Sequence, residues 1–193
     1  MSLARRAWAK ASTAIPSAFN QRGQAAGYAQ TDAIGQHACF LDNDASDSLH
    51  DLGTLPGDWS SFARCMNDLG HVVGQSHPPV GSRPVLWNSD PAHTPAELPL
   101  LPGDNYGSAT AINKLGHMIG WSAYSTPGTW NVGAPSLVVW LDGRVFELQS
   151  LLDTVSGAGW TLTSAWAINN VGQIAGMGVH ERVERAFIMT LNP

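Results

Sequence analysis

One short motif, N-x-x-G-[QH]-x-x-G, occurs four times in this chain of 193 residues. Its copies begin at Asn20, Asn67, Asn113 and Asn169, which are 47, 46 and 56 residues apart. A near-constant period of this length is typical of repeat architectures, in which each copy forms one structural unit. The longer third step contains a Gly-, Pro- and Asn-rich stretch at 125–134, which we interpret as a loop insertion.

Each full copy divides into four segments of strand length that are bounded by turn-forming residues. In the second copy we expect strands at about 61–67, 71–75, 83–88 and 96–101. The motif asparagine can accept a backbone hydrogen bond within a turn, and the first glycine can adopt positive φ in a hairpin. The second glycine permits a bulge or the close approach of another backbone. The third segment is a continuous apolar run, as in a strand buried on both faces.

A repeat of about 47 residues with four strands has the size of one β-propeller blade. The sequence therefore predicts an all-β fold, a small β-propeller of about four four-stranded blades, with one repeat domain over residues 14–193. The fourth copy lacks a last strand, and an open edge invites further pairing. An N-terminal arm at 1–13, with Leu3 to Lys10 as the closing strand, is one way to close the ring. Oligomerisation is another, and a β-solenoid is the alternative fold.

Three stretches resemble the HAF repeat of bacterial proteins: LGTLPGD at 52–58, AINNVGQIAG at 167–176 and RAF at 185–187. The resemblance extends from about Ala14 to Leu191. It implies a β-repeat protein in an extracellular setting, and it transfers no catalytic residues to this chain. The His-Ala-Phe word of the family occurs only loosely here, as HACF at 37–40.

The formal net charge of −5 argues against nucleic acid as a partner, because such affinity comes mainly from Lys and Arg that neutralise phosphates. The basic residues Arg5, Arg6 and Lys10 are expected to form a solvated terminal arm. Polar residues interrupt the apolar run of 1–15, which makes it a poor signal peptide, so the compartment stays undetermined. No apolar stretch is long enough to predict a membrane span.

The loops that join the copies each contain an aromatic residue, namely Trp59, Tyr106 and Trp160. Asp58 and Asp104 lie beside the first two. Loops often carry function, and a ring beside a carboxylate suits a stacked sugar or a bound peptide. The alternative is that each ring packs between neighbouring blades.

Four other tryptophans lie at positions that predict either a core or a ligand-binding role. Trp87 and Trp140 end equivalent apolar segments and are predicted to be core residues. Trp121 and Trp130 flank the insertion of the third copy, where the repeat symmetry is broken. We therefore include them among the candidate ligand-binding residues, with a plain surface loop as the alternative.

His71 and His117 occupy the same repeat position, where the other copies have Gln24 and Gln173. Two equivalent imidazoles are a candidate metal or proton-transfer pair, and a hydrogen-bonding structural role is the alternative. The acidic stretch 42–47 begins like a calcium loop but lacks the required Gly and Glu. The cofactor is therefore unknown, and a divalent metal such as calcium is the one candidate.

These features predict a ligand-binding or interaction module on a β-propeller, with contacts made by loops between strands. The ligand would be a small molecule, a glycan or a protein segment, and a homo-oligomer is compatible with the repeat. The alternative is a metal-assisted hydrolase of lactonase or esterase type, with its site in the propeller channel; no catalytic residue is identified. Cys39 and Cys65 lack any metal-ligand spacing and are read as buried free thiols, with one disulfide between them left open.

Overall fold

The computed structural model describes residues 13–31, 35–43, 49–126 and 132–191. These residues form β-strands and one short 3-10 helix, and the strands lie in four antiparallel sheets. The all-β prediction is therefore confirmed. Within the described ranges, no helix has the length and apolar character needed to cross a membrane.

Each sheet is a meander whose strands pair in chain order. Sheet 1 contains β1 (Ala14–Phe19), β2 (Ala25–Gln30), β3 (Gln36–Leu41) and β4 (Leu49–Gly53). Sheet 2 contains β5 (Ser60–Met66), β6 (Val72–His77), β7 (Arg83–Trp87) and β8 (Pro95–Glu97). Sheet 3 contains β9 (Tyr106–Ile112), β10 (Met118–Ala123), β11 (Ser136–Leu141) and β12 (Arg144–Glu147). Sheet 4 contains β13 (Trp160–Ile168), β14 (Gln173–His180) and β15 (Val183–Thr190), and the 3-10 helix Leu148–Leu151 precedes it.

The last strand of the second copy is shorter than the sequence predicts. It ends at Glu97, whereas the apolar pattern suggested an end near Leu101. Pro99 has no N–H to donate to a ladder, so pairing cannot continue through it. The backbone instead enters a turn in which the Asp104 N–H donates to the carbonyl oxygen of Leu101 at 3.0 Å.

The four motif asparagines lie in matching hairpin turns. In each turn, Oδ1 accepts hydrogen bonds of 2.9–3.1 Å from the backbone N–H groups two and four residues later. The asparagine carbonyl accepts a hydrogen bond from the glycine three residues later, and that glycine has φ between 77° and 89°. These equal settings confirm the fourfold repeat and the expected role of the first glycine.

The second motif glycine lies where two backbones come close together. A side chain at Gly74 would run into the carbonyl oxygen of Phe62, and one at Gly120 would meet that of Ser108. The first strand of each sheet has a register shift near this contact. The expected bulge and close approach are thus both present.

The sheets pack face to face in chain order, and a separate apolar cluster fills each of the three interfaces. Trp87 and Trp140 are fully buried in the first and second clusters, which confirms their core assignment. Among the described residues, sheet 1 and sheet 4 do not pack extensively against each other, so ring closure is not observed within this part of the chain. The suggested closing strand, Leu3 to Lys10, lies outside the described residues.

Candidate functional site

The motif asparagines also connect neighbouring sheets, through what we call the asparagine ladder. The Nδ2 group of Asn20 donates to the carbonyl oxygen of Asn67 at 3.2 Å, and Asn67 donates to that of Asn113 at 3.0 Å. Asn113 in turn donates to the carbonyl oxygen of Asn169 at 3.0 Å. Sequence reasoning gave these residues only a turn role. The available signal was Asn in all four copies, because Asp can accept the turn hydrogen bonds but cannot donate to the next sheet.

His71 supports this ladder. Its Nδ1 lies 3.2 Å from Nδ2 of Asn67, which can only donate, so Nδ1 accepts. Its Nε2 lies 3.3 Å from the Ser89 hydroxyl. Burial lowers the pKa of His71, which favours the neutral imidazole that this arrangement requires.

The glutamines at the equivalent positions accept the same hydrogen bond from the motif asparagine. This favours a structural role for the position over a metal pair. Oε1 of Gln24 accepts from Asn20, and Oε1 of Gln173 accepts from Asn169, both at 2.7 Å. The backbone N–H of His117 donates to Asn113, while its buried Nδ1 has no partner among the described residues. The described ranges contain no group of three or more His, Cys, Asp or Glu residues close enough to hold a metal ion.

The two predicted loop carboxylates have different partners. Asp58 accepts two hydrogen bonds from Arg83, 2.6 Å from Nη2 to Oδ1 and 3.2 Å from Nε to Oδ2, and its side chain is 1 % exposed. Arg83 also pairs with Glu97 at 2.9 Å. Asp104 accepts a hydrogen bond of 2.6 Å from the Ser122 hydroxyl. Both carboxylates therefore fix the joining loops to the strands that follow them.

Of the three aromatics predicted to lie in loops, only Trp59 does so, because Tyr106 and Trp160 are the first residues of β9 and β13. All three pack against the second strand of their own sheet, or against the residue that follows it. The Trp59 indole is 48 % exposed and donates from Nε1 to the carbonyl oxygen of Pro78 at 3.0 Å. Tyr106 stacks on Trp121 with ring centroids 5.6 Å apart. Trp160 stacks on His180 at 5.0 Å and meets Phe187 edge to face. Trp130 lies outside the described residues.

A pocket of about 490 Å³ includes one of these aromatics. It lies between β15 and the segment that joins sheets 3 and 4. The joining segment contributes Leu151, Leu152 and Asp153, and β13 contributes Trp160. One wall is the run 186–190 of β15, which includes the apolar side chain of Phe187. Concave sites of this kind are the usual places for ligand binding.

The pocket borders an unpaired sheet edge. In sheets 1 to 3 the third strand pairs with a fourth strand, whereas among the described residues β15 pairs with β14 alone. The outer edge of β15 therefore presents backbone N–H and C=O groups with no partner strand in the described part of the chain. The pocket beside this edge could not be predicted from the sequence.

Asp153 adds a negative charge to the rim of the pocket. Its Oδ1 accepts 2.8 Å hydrogen bonds from the backbone N–H groups of Val155 and Ser156. These hydrogen bonds hold the pKa of Asp153 below its ordinary value of 3.8, because they favour the ionised carboxylate. The site thus combines apolar side chains, one carboxylate and a strand edge that has no partner within the described ranges.

Cys39 and Cys65 are both free thiols; Cys39 is buried as predicted, whereas Cys65 is only half-buried. Burial, with a further contribution from the nearby charge of Asp51, raises the pKa of Cys39 to about 12. A thiol with such a pKa is neutral near pH 7 and is a poor nucleophile.

Comparison with family models and with curated proteins does not indicate a function for this chain. No family model matches the chain, and no curated protein matches its sequence. Since the described residues bring no metal-binding donor set together, the hydrolase alternative has no supporting observation there.

Proposed function

We propose that this protein is an interaction module that binds an extended peptide segment as an added strand on β15. The observation that carries the proposal is the edge of β15, which has no partner strand in the described part of the chain and lies beside a pocket of about 490 Å³. In recognition by strand addition, main-chain hydrogen bonds supply affinity and pockets for alternate side chains supply specificity.

The dimensions suit this mode of binding. The strand β15 has eight residues, and its segment 186–190 forms a wall of the pocket. Every second side chain of an added strand would point toward the floor near Leu152 and Trp160. The carboxylate of Asp153 at the rim favours a basic residue in the peptide. The preferred ligand is therefore an extended segment with alternating aliphatic residues and a Lys or Arg.

The pocket is a better ligand site than the joining loops of sheets 2 and 3. Trp59 lies in the first of these loops and Tyr106 begins β9 directly after the second, but the neighbouring carboxylates are bonded to Arg83 and Ser122. A sugar held against either ring would have to compete with these contacts. A peptide on β15 meets no such competition from the described residues.

We further propose that the four sheets are blades of a β-propeller and that the chain is a HAF-repeat protein. Antiparallel meanders that pack face to face in chain order support the first proposal, since propeller blades share this arrangement. The repeated motif and its matching turns support the second.

Fluorescence anisotropy tests the peptide proposal directly. The probe is a fluorescein-labelled octapeptide of alternating valine and threonine with a terminal lysine. We expect saturable binding, weakened by roughly tenfold or more when the peptide amides that would face β15 are N-methylated, because the strand hydrogen bonds are then lost. The unmethylated and methylated peptides have the same side chains, so their comparison isolates the contribution of the backbone.

Two variants locate the site. Leu151→Arg places a bulky charged side chain in the pocket and should abolish binding, whereas Trp59→Ala removes an exposed indole elsewhere and should leave it unchanged. Far-UV circular dichroism checks that both variants are folded. Binding that tolerates both N-methylation and Leu151→Arg would overturn the proposal, as would no binding to a set of such peptides.

A further inference from the structure

Sheet 4 leaves open the face that every earlier sheet turns toward its successor. In sheet 3 this face is formed by Ala111, Ile119 and Val139, which are opposite one another in the strand register and are buried in the third apolar cluster. The positions that correspond to them in sheet 4 are Ala167, Ala175 and Ile188. Ile188 is 73 % exposed, and the neighbouring Trp166 is 62 % exposed.

The asparagine ladder stops at the same place. The Nδ2 group of Asn20 donates both to Gln24 of its own turn and to the carbonyl oxygen of Asn67 in the next sheet. Nδ2 of Asn169 makes the first kind of hydrogen bond, to Gln173, but meets no following asparagine among the described residues. The Nδ2 group of Asn169 therefore makes no ladder hydrogen bond to a further sheet within the described ranges, and it belongs to the sheet whose apolar face is exposed.

Sheet 1 carries the surface that would complement this exposed face of sheet 4. Phe19 occupies the position of Ile112, which packs on the apolar cluster shared with the preceding sheet, yet Phe19 is 70 % exposed. The carbonyl oxygen of Asn20 accepts from Gly23 but from no preceding asparagine in the described ranges. Ala25, Ala29, Cys39 and Leu41 on the same face are already buried, so the surface available to a partner is limited to Phe19 and the Asn20 turn.

We propose that a second copy of this chain docks head to tail, with sheet 1 of one copy on sheet 4 of the other. Phe19 of the docking copy covers Ala167, Ala175 and Ile188, and Nδ2 of Asn169 donates to the carbonyl oxygen of its Asn20. The contact repeats one part of the interface that the chain forms three times between its own sheets, namely the asparagine turn and the apolar residue before it. It uses the face of sheet 4, whereas the peptide proposal uses the edge. Ile188 belongs to both surfaces, so Leu151→Arg tests the peptide site and Phe19→Lys tests the docking contact separately.

Such a contact joins two different surfaces, and two copies can satisfy both ends by closing into a symmetric ring of eight sheets. A face-to-face pair of sheet 4 surfaces would cover Ile188 but would leave Phe19 and the carbonyl oxygen of Asn20 unused. The presence of a matched donor and acceptor at opposite ends of the chain favours the head-to-tail arrangement.

Sedimentation velocity of the full chain provides the first test. We expect a species of twice the 20.5 kDa chain mass. Phe19→Lys and Ile188→Lys should each raise the dissociation constant by roughly tenfold or more, because each removes a central apolar anchor from both interfaces. Val155→Lys, at an exposed residue outside the proposed surface, is the control and should leave the dimer unchanged.

Mixing the two variants distinguishes the geometry. A complex of one Phe19→Lys chain and one Ile188→Lys chain contains one wild-type interface and one in which both anchors are replaced. We therefore expect a mixed complex from two variants that do not self-associate, measured with one chain fluorescently labelled. A monomeric wild-type chain at the highest soluble concentration, or a dimer that persists in Phe19→Lys, would overturn the proposal. Circular dichroism confirms that the variants are folded.

Discussion

Sheets 3 and 4 carry the same motif in different surroundings. Both have the asparagine turn and the left-handed glycine, and both place three apolar positions on the same face. In sheet 3 this face is covered by sheet 4, and the third strand β11 is paired with β12. In sheet 4 the equivalent face is exposed and β15 pairs with β14 alone in the described residues. The comparison separates what each copy encodes locally from what a neighbouring sheet adds.

The largest expected difference comes from truncating an apolar side chain at a sheet interface. Ile119 is fully buried, so Ile119→Ala leaves a cavity and should lower the free energy of unfolding by about 2–5 kcal/mol. The measurement is the denaturant midpoint and slope in urea. The Phe19→Lys background removes any contribution from association.

Ile188→Ala is the matched substitution on sheet 4. Because this side chain is already largely in solvent, its loss should change the free energy of unfolding by no more than about 0.5 kcal/mol in the same background. A large loss of stability there would mean that another part of the same chain covers this face, and it would break the comparison.

The asparagine ladder should show a smaller difference of the same sign. Asn113→Asp keeps the turn acceptor but places a carboxylate in a buried site that faces the carbonyl oxygen of Asn169, at a cost of about 2–4 kcal/mol. Asn169→Asp loses only the hydrogen bond to Gln173 at an exposed turn, and about 1 kcal/mol or less is expected. Equal losses in urea unfolding would show that the ladder hydrogen bond to the next sheet adds nothing measurable.

The pH dependence of stability should show the smallest effect. Burial lowers the pKa of His71 below 6.5, so the unfolded chain binds this proton more readily than the folded chain. Its contribution is therefore fully present above about pH 6.5 and is lost as the pH falls through the folded pKa. His71→Gln, which introduces the residue found at two equivalent positions, should make the loss of stability on acidification smaller. Urea midpoints at a series of pH values test this, and an unchanged pH profile would contradict it.

Residues 58–59 show which features of the candidate residues the sequence could predict and which it could not. The sequence singled out an aromatic beside a carboxylate, and both lie in a loop between sheets. It could not reveal that Asp58 is paired with Arg83, because the two residues are 25 positions apart and meet only when sheet 2 forms. Trp160 was identified for the same sequence reason, yet its surroundings come from a joining segment and from β15.

The sequence by itself determined the unit and its repetition. Hydrogen bonds within five consecutive residues and one glycine of positive φ are local, so each copy specifies its own turn. Pairing of the first two strands of a copy follows from the same turn, and the apolar segments correctly predicted that Trp87 and Trp140 are core residues.

Only the tertiary structure decided which surfaces are covered. Ile119 and Ile188 belong to equivalent faces, and nothing in the local sequence says that one is buried and the other exposed. Burial depends on whether another sheet lies against that face, and the ladder hydrogen bonds likewise join residues 46 to 56 positions apart. The exposed face of sheet 4 and the edge of β15, which no described strand covers, are therefore properties of the assembled sheets, and both proposals rest on them.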